Sequence, residues 1–263
     1  MADNPIHSAS ALANLGQLAR QRGDLHQAKQ YYEQALPVAR QANHPPLLIA
    51  TLQQCGNLSE EEGNYAIAKR HLVEALPLAE KLGDPELLSR VHGNLGLTSC
   101  HLKHYAEARA HFQKGLALAE KAEIPVQTCR QKANLGYLYA QEGKYNRANA
   151  HYDEALALAK QLGFPRDVMV ITMQWGISYL GQEELRLAQT YLMEAEALAR
   201  DHNWQIPLAE TLFAQAKLAY QRENIEKARR LATESQGIYM AVTHPKADEV
   251  VYWLAALPRS IEG

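Results

Sequence analysis

The chain has 263 residues, of which 47% are hydrophobic and 21% charged, and its formal net charge is -2. This balance argues against a protein that mainly binds nucleic acid, because phosphate binding needs clustered excess lysine and arginine. It also offers no polybasic signal for an anionic membrane. The N-terminus lacks a signal-peptide pattern, and no apolar stretch has the length of a bilayer span. Cys55, Cys100 and Cys129 have spacings that fit neither a disulfide framework nor a zinc site. We therefore expect a cytoplasmic protein with neither nucleic acid nor membrane among its partners.

A 40-residue period runs through the sequence. Six segments align without a gap, and they begin at Ala11, Thr51, Val91, Gln131, Ile171 and Thr211. Each segment but the last has a glycine at the same phase: Gly16, Gly56, Gly96, Gly136 and Gly176. Twelve residues later every segment has an alanine, and four residues beyond it most have a larger side chain: Tyr32, Leu72, Phe112, Tyr152 and Leu192. A heptad coiled coil or a four-helix bundle would not produce this recurrence, so we predict a repeat protein.

Each period predicts two helices joined by a tight turn. We expect the repeats at residues 5–44, 45–84, 85–124, 125–164, 165–204 and 205–244. At the start of the third repeat, Asp84 can cap a helix from the preceding position and Pro85 suits its first position, which predicts a first helix over 85–101. Turns such as Gly23-Asp24 then lead into the second helix. Residues 245–257 predict a helix that caps the last repeat, and 258–263 a short tail, so that 5–257 forms a single array.

The small residues predict close packing between the two helices of a repeat. We expect Gly16 and its equivalents to face Ala28 and its equivalents, so that the two backbones can approach closely. The larger side chain at Tyr32 and its counterparts should then fill the gap against the next repeat. A single helix pair cannot bury its apolar face alone, so stacked pairs should form a continuous core.

The residues Leu15-Gly16, Ala28, Tyr32 and Ala35, with their later copies, resemble the small-large pattern of the tetratricopeptide repeat. The longer period is similar to the repeats of Pins-type spindle adaptors and kinesin light chains, as in the segment 133–136. The resemblance covers about residues 5–257. It implies an all-α, right-handed superhelical solenoid of six helix-turn-helix units with a C-terminal capping helix.

The resemblance also implies that the first helices of the repeats line a concave groove that receives extended peptides. Helical phase then predicts the partner-binding residues, which are Asn14, Gln54, Asn94, Asn134 and Gln174, the neighbouring Asn57 and Tyr137, and the cations Arg90 and Arg130. An amide side chain can bond both backbone groups of an extended peptide. Each arginine stands one helical turn before an asparagine on the same face, a pairing suited to a carboxylate and the amide beside it. In the alternative interpretation, the amides bond neighbouring helices and the arginines form ion pairs within the chain.

The sequence contains no nucleophile elbow, phosphate loop or dinucleotide fingerprint. Cys100, His101 and His104 are close in sequence, but they span a predicted turn and lack a second ligand pair. We therefore predict no catalytic residues, no metal site and no cofactor. The expected function is a scaffold or adaptor that binds an acidic or carboxylate-bearing peptide or protein segment. The alternatives are an array that associates with copies of itself and a sensor or regulatory fragment of a larger signalling protein.

Overall fold

The computed structural model describes residues 4–258, and its regular structure in that range consists of 13 α-helices without a strand. The predicted all-α class is therefore confirmed, whereas the number of repeat units stays a prediction. Residues 259–263 of the expected tail lie outside the described residues. The helices are α1 Pro5–Gln21, α2 Leu25–Gln41, α3 Pro45–Glu61, α4 Tyr65–Leu82, α5 Pro85–His101, α6 Tyr105–Lys121, α7 Pro125–Gln141, α8 Tyr145–Leu162, α9 Pro165–Gly181, α10 Leu185–Asp201, α11 Gln205–Gln221, α12 Ile225–Ala241 and α13 Lys246–Ala256.

Local signals explain where the helices begin. Helices α1, α3, α5, α7 and α9 each begin with a proline, whose missing N–H is not needed at the first helical position. Before α5, the Asp84 carboxylate accepts hydrogen bonds from the backbone N–H groups of Glu86 and Leu87, at 2.9 and 3.1 Å. These two bonds satisfy donors that have no partner inside the helix. The helix predicted over 85–101 has the bounds of α5.

The turns between the two helices of a pair all contain a residue in the left-handed region. Three of these residues are glycines, such as Gly63 at φ 76°. Lys103, Glu183 and Glu223 hold the same position with φ of 61°, 61° and 59°. A side chain makes this conformation unfavourable, so these three turns carry backbone strain that the glycine turns avoid.

The helices belong to two compact units, and the boundary in the sequence lies between Glu142 and Gly143. The first unit contains α1–α7 and has a core that includes Leu52, Leu72 and Leu95. The second contains α8–α13 and has a core that includes Leu192 and Leu212. In the first unit α3 packs beside α5 and α5 beside α7, so the odd-numbered helices lie side by side there. The assignment of residues 5–257 to one array stays a prediction.

The repeated glycines lie against the large side chain of their own repeat. A Cβ atom at Gly16 would stand 2.6 Å from Cε1 of Tyr32, and one at Gly176 would stand 2.9 Å from Cγ of Leu192. The sequence-based expectation that the larger residue fills a gap against the next repeat is therefore incomplete. The larger residue also packs against the glycine sixteen residues earlier in the chain. Only glycine leaves room there for the aromatic ring or the branched carbon.

Candidate functional site

In the first unit, helices α3, α5 and α7 surround a cavity of about 480 Å³, which we call the α3–α5–α7 cavity. Its lining contains seven carboxamide side chains, two arginines and three small or apolar residues. The lining residues are Ala50, Gln53, Gln54, Asn57, Arg90, Gly93, Asn94, Leu97, Gln127, Arg130, Gln131 and Asn134. None of these twelve residues is acidic, and the two guanidinium groups are the ionic groups of the lining.

The cavity brings together six of the nine residues that helical phase predicted: Gln54, Asn57, Arg90, Asn94, Arg130 and Asn134. The other three lie elsewhere. Asn14 is exposed on α1, and Gln174 belongs to α9 in the second unit. Tyr137 lies on α7 outside the lining, with its ring centroid 6.2 Å from that of His101. Burial raises the pKa of the Tyr137 phenol above its usual range.

Two hydrogen bonds join α5 to α3 in the cavity wall. Arg90 Nε donates to Gln53 Oε1 at 3.2 Å, and Asn94 Nδ2 donates to Asn57 Oδ1 at 3.3 Å. The bond between Asn94 and Asn57 joins two neighbouring helices through their amide side chains, as expected if these amides stabilise the fold rather than bind a peptide. The first leaves the charge of Arg90 without a carboxylate in that contact, because its acceptor is a neutral amide.

Three glutamines in the lining escaped the sequence analysis. Gln53, Gln127 and Gln131 are only 4%, 2% and 1% exposed. Gln131 Nε2 donates to the backbone carbonyl of Ser89 at 2.6 Å. Within residues 4–258, Gln53 Nε2 and Gln131 Oε1 have no hydrogen-bond partner.

A comparison of the six repeats position by position would have singled out Gln53 and Gln131. At the phase of Gln53 the other repeats have small or apolar residues: Ala13, Gly93, Ala133, Met173 and Phe213. At the phase of Gln131 they have Ala11, Thr51, Val91, Ile171 and Thr211. Gln53 and Gln131 therefore place a long amide where the other repeats have a short or apolar residue.

Two glycines of the third repeat provide the space for the Gln131 amide. A Cβ atom at Gly115 would stand 2.8 Å from both Cδ and Nε2 of Gln131, and one at Gly93 would stand 2.7 Å from Nε2. At the phase of Gly115 the other repeats have alanine or serine: Ala35, Ala75, Ala155, Ala195 and Ser235. Ser89 completes the arrangement, because its hydroxyl donates to the carbonyl of Gly115 at 2.8 Å. The surroundings of Gln131 thus depart from the repeat in ways that accommodate its side chain.

A titratable contact lies one helical turn beyond Asn94. The Thr98 hydroxyl is hydrogen-bonded to the Glu60 carboxyl and lies 3.0 Å from the backbone oxygen of Asn94. Burial raises the pKa of Glu60 to about 7, against the opposing effect of the Thr98 hydrogen bond. This carboxyl group therefore changes charge near neutral pH.

Other kinds of site receive less support from the described part of the chain. Within residues 4–258 no three histidine, cysteine or acidic side chains are grouped to hold a metal ion. Cys100 is buried, and the His101 ring stacks on Tyr65 with centroids 4.6 Å apart. In the same range, none of the helices combines the length and apolar character that a bilayer span requires.

Family comparisons identify the repeat. Three family models described as tetratricopeptide repeat match residues 8–45, 47–121 and 133–166, which together make up more than half of the chain. The comparison with curated protein sequences found no match.

Many solved structures have a similar fold. BtubC (BKLC) from P. vanneervenii is 20% identical, with a TM-score of 0.59 over 91% of this chain and 93% of that one. A Rap protein complexed with Competence and Sporulation Factor is 20% identical, with a TM-score of 0.77 over 92% and 66% of the two chains. The Rap conjugation gene regulator of plasmid pLS20, in complex with a peptide, is 13% identical, with a TM-score of 0.71 over 95% and 80%. At these identities the likeness concerns the fold alone. Together with the three family models, it shows that the chain belongs to the tetratricopeptide-repeat family.

Proposed function

We propose that the chain is a protein-interaction scaffold that binds an extended, acidic peptide segment in the α3–α5–α7 cavity. The observation that carries this proposal is the lining itself, in which two arginines and seven carboxamides surround one opening without an acidic side chain. Guanidinium groups bind carboxylates through two parallel hydrogen bonds, which gives an acidic anchor both energy and orientation.

The carboxamides suit the rest of the peptide. Each offers a donor and an acceptor, so Asn94 and Asn134 can bond the N–H and C=O groups of an extended backbone. A single hydrogen bond of this kind contributes only about 1 kcal/mol, so useful affinity requires several of them together with the arginines. The breadth of the lining over three helices meets that requirement.

The composition of the lining favours binding over catalysis. It contains no histidine, cysteine, serine, lysine, tyrosine or carboxylate that could act as a nucleophile or a general base. Two of the similar structures are described as complexes with a factor or a peptide, which supports a peptide as the ligand of this chain. The three cysteines are buried thiols rather than disulfides, which is compatible with the cytoplasmic location that we propose.

A charge-reversal experiment tests the proposal. The probe is a fluorescent library of N-acetylated hexapeptides, each with one aspartate or glutamate, and binding is measured by fluorescence anisotropy. The double variant Arg90→Glu/Arg130→Glu should weaken the best peptides at least about tenfold, since charged hydrogen bonds contribute roughly 1.5–3 kcal/mol. The control Arg22→Glu/Arg70→Glu reverses two exposed charges of the same unit outside the cavity and should bind normally. Equal affinity of the two variants for these peptides would refute the proposal.

One observation favours self-association as a second candidate. Leu15 and Leu18 on α1 are 43% and 50% exposed, whereas Leu95 and Leu58, at the same phases, are 1% and 4% exposed. Burial of such side chains against another chain would be favourable. Sedimentation velocity over a concentration series tests this candidate with Leu15→Lys/Leu18→Lys as the comparison. A wild-type chain that stays monomeric throughout would dismiss it.

A further inference from the structure

We infer that Glu60 is a second anchoring point for the bound peptide, where it receives the ammonium group of a lysine side chain. The inference rests on the proposed function, because it adds a basic residue to the acidic peptide that the α3–α5–α7 cavity is proposed to bind. It begins from a carboxyl group near the end of α3 that forms no ion pair with the described part of the chain.

Glu60 differs from the two carboxylates that follow it in the sequence. Glu61 forms an ion pair with Arg20 at 2.6 Å, and Glu62 forms one with Lys29 at 3.1 Å. Within the described part of the chain, the Glu60 carboxyl is bonded only to a neutral hydroxyl group. A carboxylate that is partly removed from water is stabilised by a cation, and Glu60 leaves that role open to a ligand.

Contacts through Thr98 connect this carboxyl to the cavity. The Thr98 hydroxyl is hydrogen-bonded to Glu60 Oε1 and lies 3.0 Å from the backbone oxygen of Asn94, which belongs to the lining. Asn57 lines the cavity one helical turn before Glu60 on α3. Leu97, the residue before Thr98 on α5, lines it too. Glu60 therefore borders the cavity at the end towards which α3 and α5 run.

One oxygen of the Glu60 carboxyl is available to a ligand. The residue is half-buried, and Oε1 accepts the Thr98 hydrogen bond. Within residues 4–258, Oε2 accepts no hydrogen bond and is not closed to solvent. A guanidinium group binds best when it bonds both oxygens, whereas an ammonium group needs only one. The single available oxygen therefore favours lysine over arginine.

The surroundings of Glu60 strengthen its attraction for a cation. Burial, together with the charge of Glu61, raises the pKa of Glu60 to about 7, against the effect of the Thr98 hydrogen bond. A cation beside the carboxyl favours its charged form and lowers this pKa. Because water screens the pair less at a half-buried position, the attraction is stronger there than between two exposed charges.

Both members of the Glu60–Thr98 contact depart from the repeat. At the phase of Glu60 none of the other repeats has an acidic residue: Arg20, Cys100, Ala140, Leu180 and Tyr220. At the phase of Thr98 four of the other five have leucine and one has serine: Leu18, Leu58, Leu138, Leu218 and Ser178. Two departures that contact each other beside the cavity indicate a local arrangement, because the repeat itself requires neither side chain.

Helix geometry gives the spacing of the two anchors. Arg90 and Thr98 are eight residues apart on α5, which corresponds to about 12 Å along the helix axis. An extended peptide covers about 3.3 Å per residue, so this separation corresponds to three or four peptide residues. We therefore expect the lysine three or four positions from the acidic residue that binds the arginines.

A lysine scan tests the inference. The parent is the acidic hexapeptide that binds best in the library experiment, and each of its other positions is replaced in turn by lysine or by Nε-acetyl-lysine. Acetylation removes the charge and keeps most of the side-chain length. At one position, three or four residues from the acidic residue, the wild-type chain should bind the lysine peptide about tenfold more tightly than its acetylated partner.

Two variants assign the preference to Glu60. Glu60→Gln keeps the size of the side chain and an acceptor for Thr98, and Glu60→Ala introduces the residue that the fourth repeat has at Ala140. Both are expected to fold, which circular dichroism checks, and in both the ratio of the two affinities should fall towards one. The control Glu80→Gln removes an exposed carboxylate of α4 outside the lining and should retain the wild-type ratio.

The outcomes separate the inference from the proposed function. Acidic peptides that bind through the arginines with no preference for lysine at any position would overturn the inference alone. A preference that persists in Glu60→Gln and Glu60→Ala would do the same. If no acidic peptide binds, or if reversal of Arg90 and Arg130 has no effect, the proposed function fails and the inference fails with it.

Discussion

The space that Gly115 leaves for Gln131 can be tested by a double-mutant cycle. The single substitutions are Gly115→Ala, which adds one methyl group, and Gln131→Thr, which replaces the buried amide with the residue present at Thr51 and Thr211. The new Cβ at position 115 would stand 2.8 Å from Cδ of Gln131 and 3.1 Å from the carbonyl oxygen of Ser89. The amide cannot retreat easily, because it is buried and bonded to that carbonyl.

The expected magnitudes follow from two opposing effects. Overpacking in a buried wall costs about 1–3 kcal/mol, and alanine in place of glycine within a helix contributes about 1 kcal/mol of stability. Gly115→Ala should therefore destabilise the wild-type chain by about 1 kcal/mol. In the Gln131→Thr background the contact with the amide is gone, and the same substitution should be neutral or slightly stabilising. The coupling energy should be about 1–3 kcal/mol, as for residues in direct contact.

Urea unfolding of the four proteins, followed by far-ultraviolet circular dichroism, measures this coupling. Repeat arrays can unfold in more than one step, so the shapes of the curves are compared together with their midpoints. The explanation is wrong if Gly115→Ala has the same effect on the free energy of unfolding in both backgrounds, because Gln131 would then not occupy the space that the glycine leaves.

Three further predictions concern stability. Lys103→Gly should raise the free energy of unfolding by about 0.5–1 kcal/mol, because relief of the left-handed strain exceeds the entropy that glycine adds to the unfolded chain; a lower midpoint in urea would contradict this. Asp84→Ala should cost about 1 kcal/mol through loss of the cap on α5, whereas an unchanged melting temperature would mean that the cap contributes nothing. The folded chain holds the Glu60 proton more tightly than the unfolded chain, since the pKa of this carboxyl is about 7 against an ordinary 4.5. The protonated Glu60 carboxyl therefore contributes its full share of the free energy of unfolding below pH 4.5, and this contribution is lost as the pH rises to 7. Glu60→Gln should remove this loss of stability between pH 4.5 and 7. The same pH dependence of the free energy of unfolding in the wild-type chain and the variant would contradict the raised pKa of Glu60.

The bounds of the helices could be predicted because their signals are local and repeated. Asp84 and Pro85 determine where α5 begins through contacts within one turn, and the period transfers the assignment to the other repeats. Helical phase likewise placed Arg90 and Asn94 on one face, and the structure brings both to the cavity. Phase does not determine how a large ring packs, so the position of the Tyr137 ring beside His101 could not be predicted from the sequence.

The buried glutamines were missed for a different physical reason. Asn94 and Asn134 are recognisable because polar residues recur at their phase. A site that occurs once in a repeat protein must instead depart from the repeat, and Gln53 and Gln131 are departures of that kind. Likewise, the sequence shows that Gly16 and Tyr32 recur, but only the packed helices show that one lies against the other.

Side-chain amide spectra of the bound chain test most directly whether a peptide occupies the α3–α5–α7 cavity. The titrant is the acidic hexapeptide that binds best in the library experiment, and the ¹⁵N-labelled amide groups of asparagine and glutamine report on it. Asn94, Asn134 and Gln131 should shift and reach saturation together, while Asn14 and Gln174, which lie outside the cavity, should keep their positions. Shifts confined to Asn14 or Gln174, with the cavity amides unchanged at saturation, would contradict the account.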